Sequence, residues 1–153
     1  MMTKQTLRLL LVEDSEEDGM LLERELQRAG YSLRLQRVWS AEDLRAALAA
    51  EAWDVVVSDW SLPLMNGIDA CEIVRAADPD MPFLIVSGTI DEELAVDGLR
   101  AGADDFMSKN RLARLRPAID RALRDRAIRR KERHSSVQLD VQRVQIARSE
   151  RLL

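Results

Sequence analysis

Val55-Val56-Val57-Ser58-Asp59-Trp60-Ser61-Leu62-Pro63-Leu64-Met65-Asn66-Gly67 decides how the chain folds. Three successive β-branched residues read as a strand buried on both faces, and the run stops at an aspartate followed by turn-forming Pro63 and Asn66-Gly67. Asp59 therefore falls at the C-terminal edge of a strand. In an open α/β sheet ligands bind along that edge, so a carboxylate there is placed for chemistry as well as for capping a turn. The other strands decide between the two.

Upstream, Leu7–Val12 is an apolar run ending in Glu13-Asp14, a buried strand that delivers two acids to its end. After Ser15 a helical pattern runs through Met20, Leu21, Leu22, Leu26 and Ala29 and closes at Gly30, where a left-handed cap is wanted. Ser32–Val38 alternates apolar and polar residues, as an edge strand does. Ser40 with Asp43 three residues on starts the helix Ala41–Ala50. Trp53–Ser58 is the third strand.

Downstream, a helix from about Ile68 to Ala77 ends before Asp78-Pro79, and Phe83–Val86 forms a fourth strand finishing at Ser87-Gly88-Thr89. Asp91–Ala101 is a helix closed by Gly102, and Asp104–Met107 is a short strand that ends near Lys109. From about Leu112 the chain turns helical again, with Pro117 tolerable in the first turns. Five strands alternating with five helices imply an α/β fold, a parallel sheet covered on both faces.

At 153 residues the chain suits one domain plus an appendage. No apolar run approaches the roughly 18 residues of a membrane span, and a lone cysteine, Cys71, excludes an internal disulfide. Cys71 shares a helical face with Ile68 and Val74, which reads as core packing. Both features suit a cytoplasmic protein. Charge is uneven: Met1–Lys109 carries 10 basic and 22 acidic residues, whereas Asn110–His134 carries 10 basic and 3 acidic.

The strand ends bring Glu13-Asp14, Asp59, Ser87-Thr89 and Lys109 to one edge. Three carboxylates in one place repel one another, and a hard divalent cation with oxygen ligands relieves them; Mg²⁺ fits, whereas zinc would want the His or Cys that these loops lack. An aspartate beside such a cation can act as a nucleophile toward a phosphoryl group, with the Lys109 ammonium neutralising charge on the transferred oxygens and the Ser87 hydroxyl donating to one of them. Taken singly, each residue has a plainer reading: a turn former, a helix N-terminal charge or a surface lysine. Their convergence favours chemistry.

On these residues the chain resembles the receiver domain of two-component response regulators, over about Leu7 to Arg124. The resemblance implies a doubly wound, flavodoxin-like sheet with strand order 2-1-3-4-5. It implies that Glu13, Asp14, Asp59 and the Ser61 carbonyl hold Mg²⁺. It further implies that Asp59 accepts phosphate from a sensor histidine kinase or phosphotransfer protein, that Ser87 and Phe106 are the switch hydroxyl and aromatic, and that Lys109 is the lysine of the site. The protein would then be a signalling phosphoacceptor and no enzyme in the usual sense. Two departures stand out. Asn110 follows the lysine where the family usually has a cis proline, so the peptide there is expected to be trans. Phe106 replaces the commoner tyrosine and brings no hydroxyl. The competing functional class is a docking module of the same fold that works without phosphorylation.

This divides the chain into a receiver domain, residues 1–125, and a helical extension, residues 126–153. Past Asp125 the apolar stripe fades through Arg129-Arg130-Lys131-Glu132-Arg133-His134, and Val137, Val141 and Val144 then resume a 4-then-3 spacing. Three readings stand: a linker to an output domain beyond Leu153, a dimerising coiled coil, or a nucleic-acid contact. The arginines between Arg111 and Arg133 lack aromatic interleaving and recur on several helical faces, as on a solvated helix, which disfavours nucleic acid. His134 has no phosphoacceptor pattern around it.

Overall fold

The computed structural model describes residues 6–89 and 91–152, with side chains through 135. In chain order the elements are β1 (Thr6–Val12), α1 (Glu16–Arg28), β2 (Ser32–Val38), α2 (Ala41–Ala50), β3 (Val55–Asp59), α3 (Gly67–Ala77), β4 (Phe83–Ser87), α4 (Glu92–Ala101), β5 (Asp105–Ser108), a 3-10 stretch (Lys109–Arg114) and α5 (Leu115–Leu152). The five strands form one parallel sheet in the order β2-β1-β3-β4-β5, so the expected α/β fold and strand order are correct.

Residue parity divides the core. Leu7, Leu9 and Leu11 of β1 face the layer containing Leu22 and Leu26 of α1 and Leu115 and Ile119 of α5. Leu10 and Val12 face the other way, toward Leu44 of α2 and Ala70, Cys71 and Val74 of α3. Central strands buried on both faces explain why Val55-Val56-Val57 shows no alternation. Each such side chain contributes about 1.5–3 kcal/mol on burial. Cys71 is fully buried and its thiol is pushed up by that burial, consistent with packing.

Most of the helix signals were legible. Ser15 Oγ accepts from the Asp18 N–H at 3.2 Å, Ser40 Oγ from Asp43 at 3.1 Å, and Asn66 and Asp69 close a reciprocal box at 2.9 and 3.0 Å. Gly102, with φ 115°, takes the left-handed cap of α4, a conformation that L side chains rarely adopt.

Several boundaries moved, three of them for reasons the contacts show. Trp53 is not in β3: its indole Nε1 donates to the Ala47 carbonyl at 2.9 Å, so it plugs the end of α2 while the strand starts at Val55. Asp104 stays outside β5 because its carboxylate accepts the Phe83 N–H at 2.8 Å. The α-helix starts at Leu115, after a 3-10 stretch in which Arg111 (φ −129°, ψ 50°) is not helical. Pro117 accounts for the delay. It has no N–H to donate and is tolerated only within the first turn of an α-helix.

No peptide among the described residues is cis, so Lys109-Asn110 is trans as expected. α5 runs unbroken across Asp125. Val137, Val141 and Val144, the seam proposed for self-pairing, lie outside the residues whose side chains are described. No helix among the described residues is long and apolar enough to cross a membrane.

Candidate functional site

The C-terminal edge of the sheet is assembled by backbone pairing. The Glu13 N–H donates to the Val38 carbonyl at 2.9 Å, which holds the residue just beyond β1, and Arg37 Nη1 donates to the carbonyls of Glu13 and Asp14 at 3.0 and 3.2 Å. Asp59, the last residue of β3, is in register with Val86, and Trp60 donates its N–H to the Val86 carbonyl at 2.9 Å. Ligand atoms of Glu13, Asp14 and Asp59 all lie within 4.8 Å of one another. The sequence-predicted carboxylates do meet.

Glu13 is 3% exposed and Asp59 7%, while Asp14 is open to solvent. Lys109 reaches in from the end of β5: its Nζ donates to Glu13 Oε1 at 3.0 Å, Asp18 Oδ2 at 2.7 Å and Asp59 Oδ2 at 3.0 Å. An ammonium has three protons, so these bonds use all of them. Burial works against the Lys109 charge, but the hydrogen bonds to Asp18, Glu13 and Asp59 outweigh it and hold the group above the usual lysine value. Glu13 goes the other way from most paired acids. Burial and then the neighbouring Asp59 push its carboxyl up to about 8 against the pull of Lys109.

Ser61 donates its N–H to Asp59 Oδ1 at 3.3 Å and bridges to Asn66, which fixes its backbone beside the carboxylate. Ser87 is buried at the end of β4, one residue beyond the register partner of Asp59; its Oγ accepts from the Thr89 N–H at 3.3 Å and lies 3.5 Å from Thr89 Oγ1. Phe106 pairs with Ile85 in register and tilts against Trp60 with ring centroids 5.9 Å apart. A Cβ on Gly98 would lie 3.0 Å from Ile85 Cδ1 and 3.3 Å from the Phe106 ring, so a larger residue there would push on both side chains.

A cation fits this donor set. Glu13 Oε2 is buried without a hydrogen-bond partner, the three clustered groups are all carboxylates, and hard divalent ions favour oxygen. Sequence reading missed Asp18 and Arg37. Asp18 looks like one more acid in the first turn of a helix, and Arg37 like an outward residue of an edge strand; neither has a local signal for its partner. A cavity of about 150 Å³ adjoins the site, lined in part by Leu11, Asp18, Leu21, Val86 and Asn110.

The family model described as the response regulator receiver domain matches residues 9–120. Among curated proteins, the uncharacterized transcriptional regulatory protein YrkP of Bacillus subtilis is 38% identical over 107 residues, covering 67% of this chain and 42% of the relative. Response regulator MprA of Mycolicibacterium vanbaalenii is 34% identical over 126 residues, covering 77% and 52%. The chain thus spans about half the length of the curated relatives it matches. Among solved structures, NtrX from Brucella abortus superposes with a TM-score of 0.74 at 26% identity, covering 85% of this chain and 29% of that one. With a family model across most of the folded body and acids, lysine and hydroxyl gathered at one sheet edge, the chain belongs to the response regulator receiver domain family.

Proposed function

We propose that this receiver accepts a phosphoryl group on Asp59 in a Mg²⁺-dependent reaction, the donor being a phosphohistidine of a sensor kinase or phosphotransfer protein. The observation that carries the reading is Lys109 Nζ 3.0 Å from Asp59 Oδ2 within the three-carboxylate cluster. Glu13, Asp14, Asp59 and the Ser61 carbonyl would hold the metal, which when bound supplies charge neutralisation for the transferred oxygens.

Asp59 is the nucleophile. One carboxylate oxygen forms the new O–P bond as the P–N bond to the donor imidazole breaks, and the departing nitrogen keeps the electron pair and takes a proton. Lys109 neutralises charge on the phosphoryl oxygens, a contribution that a preorganised donor makes best in a partly dry site. Ser87 then donates its hydroxyl to a phosphoryl oxygen, drawing the β4 end inward and favouring a different packing of Phe106 against Trp60. Slow hydrolysis of the acyl phosphate would reset the site.

Mixing the protein with acetyl phosphate and Mg²⁺ and recording intact mass tests this. The expected result is a single phosphoryl adduct that is absent in Asp59→Asn and absent with a chelator. An unmodified wild type would overturn the reading and favour the phosphorylation-independent docking module. The receiver unit is placed at residues 1–125 and the extension at 126–153 as a linker to an output domain or a dimerising coiled coil, with the protein in the cytoplasm. Sedimentation of the full chain with and without a beryllofluoride mimic tests the dimer.

A further inference from the structure

Asp18 is the carboxylate at this site that the phosphoacceptor reading leaves idle. Its backbone is fixed, since its N–H donates to the Ser15 Oγ that caps α1. Its Oδ2 receives the shortest of the three Lys109 hydrogen bonds, at 2.7 Å. Lys109's other partners, Glu13 and Asp59, belong to the metal-competent cluster, and Asp18 does not.

That division matters once the site is loaded. With Glu13 and Asp59 holding a divalent cation, and a phosphoryl group on Asp59, those two carboxylates would offer less to the ammonium, and the Asp18 bond would be the one of the three left unchanged. A lysine stem carries about 2 kcal/mol of rotamer freedom, so an ammonium without that anchor would spend much of its time elsewhere. The N-terminus of α1 favours negative charge on Asp18, which suits it to hold a cation.

We propose that Asp18 is a positioning residue that keeps the Lys109 ammonium aimed at Asp59 through phosphoryl transfer. The proposal rests on the phosphoacceptor reading. Asp18 lies outside the three clustered metal-competent carboxylates, and apart from a contact with Glu13 it reaches the reacting atoms through Lys109.

The test compares wild type, Asp18→Asn, Asp18→Glu and Lys109→Ala for the initial rate of adduct formation from acetyl phosphate at saturating Mg²⁺. Asp18→Asn should slow the reaction about tenfold, as expected when a charged group loses its alignment, and Asp18→Glu should recover most of the rate. In the Lys109→Ala background, Asp18→Asn should add nothing, because its whole effect passes through the lysine. A readout without metal or donor is the ε-ammonium resonance of Lys109, one of three lysines with Lys4 and Lys131: slow solvent exchange in wild type, lost in Asp18→Asn. An unchanged rate in Asp18→Asn, or an equal loss with and without Lys109, overturns the positioning role alone. A wild type that forms no adduct overturns the phosphoacceptor reading and this inference with it.

Discussion

The two ends of the sheet use the same ingredients, aspartates and basic side chains, and reach opposite results. At the C-terminal edge Glu13, Asp18 and Asp59 share one ammonium with Asp14 beside them, so carboxylates outnumber it and Glu13 Oε2 is left buried without a hydrogen-bond partner. At the far edge Asp78, Asp80 and Asp104, in the loops before β4 and β5, meet arginines of α5 that balance them. Arg126 Nη2 lies 3.1 Å from Asp78 Oδ2, Arg129 Nη1 3.8 Å from Asp104 Oδ1, and Arg133 grips both oxygens of Asp80 at 2.5 and 3.0 Å. Charge that closes on itself holds an element in place; charge left open awaits a ligand. Residue type does not separate the two ends, whereas the balance of charge does.

Removing Lys109 should break this contrast most severely. Lys109→Ala leaves buried Glu13 and Asp59 without a cation, and phosphoryl acceptance should fall by about 100-fold or more, the loss typical of deleting one transition-state donor. Without metal the variant should lose about 2 kcal/mol of stability, because a buried charge that loses its partner is costly, and Mg²⁺ should restore much of it. Adduct kinetics and chelator-versus-Mg²⁺ melting curves measure both. A variant as fast and as stable as wild type would mean the edge is as closed as its opposite.

The pH response comes next. Glu13 is pushed up to about 8, first by burial and then by Asp59. Between the ordinary carboxylate range and that value the folded protein holds a proton that the unfolded chain has given up, so in chelator stability falls as pH rises through the window. Asp18, held low by Lys109, changes protonation only below that window, and Lys109, held high, only above it, so neither adds slope within it. A divalent cation must displace the Glu13 proton, so Mg²⁺ stabilisation should grow over the same interval. Melting temperatures from about pH 5.5 to about pH 8.5, with chelator and with Mg²⁺, should diverge as pH rises. Parallel curves would sink this assignment of the proton.

How much of this could be seen in the sequence follows from where each partner lies. β3 and the carboxylates at the strand ends were legible because a double-faced apolar run stopping at an acid is a local pattern, and parallel topology sends every such end to one edge. Ser15, Ser40 and Gly102 announced their helix ends for the same reason, whereas Asn66, read as a turn residue, turned out to cap α3. Asp18 was hidden because its partner is 91 positions away and a helix N-terminus already explains an acid there. The arginines of α5 were read as a solvated face. Arg126 instead has a side chain only 12% exposed, donates to the Trp53 carbonyl at 3.3 Å and pairs with Asp78, 48 positions earlier. Periodicity finds apolar faces, and a polar face fastened by charges from two distant loops has no periodic signature.

At the far edge, Arg126→Ala should cost about 1–2 kcal/mol, since it removes a largely buried guanidinium and its packed stem and leaves Arg130, at 3.8 Å, as the arginine facing Asp78. Phosphoryl acceptance should stay within about twofold of wild type, because the clasp and the site share no partner. Thermal unfolding and adduct kinetics on the same preparation check the pair of outcomes. A large loss of acceptance would show that the two ends are coupled and would end the separation drawn between them.

Arg133→Ala should have the smallest effect and sharpens the contrast most finely. The pair is lopsided: the Asp80 side chain is 8% exposed and the Arg133 side chain 60%. An exposed guanidinium gains little from its partner, and surface ion pairs are typically worth about 0.2–1 kcal/mol. Asp80 also keeps local company, since its N–H donates to Asp78 Oδ1 at 2.9 Å and Arg129 Nη2 reaches its carbonyl at 3.5 Å. Global stability should therefore drop by less than about 1 kcal/mol, with the loss shrinking as salt is raised. The visible change should be local: faster amide hydrogen exchange in the turn of α5 around Arg133, with protection in β1 and β3 unchanged. If exchange around Arg133 is as fast in wild type as in the variant, the two-oxygen grip on Asp80 does not hold the helix in solution, and the clasp ends one turn earlier, at Arg129 and Arg130.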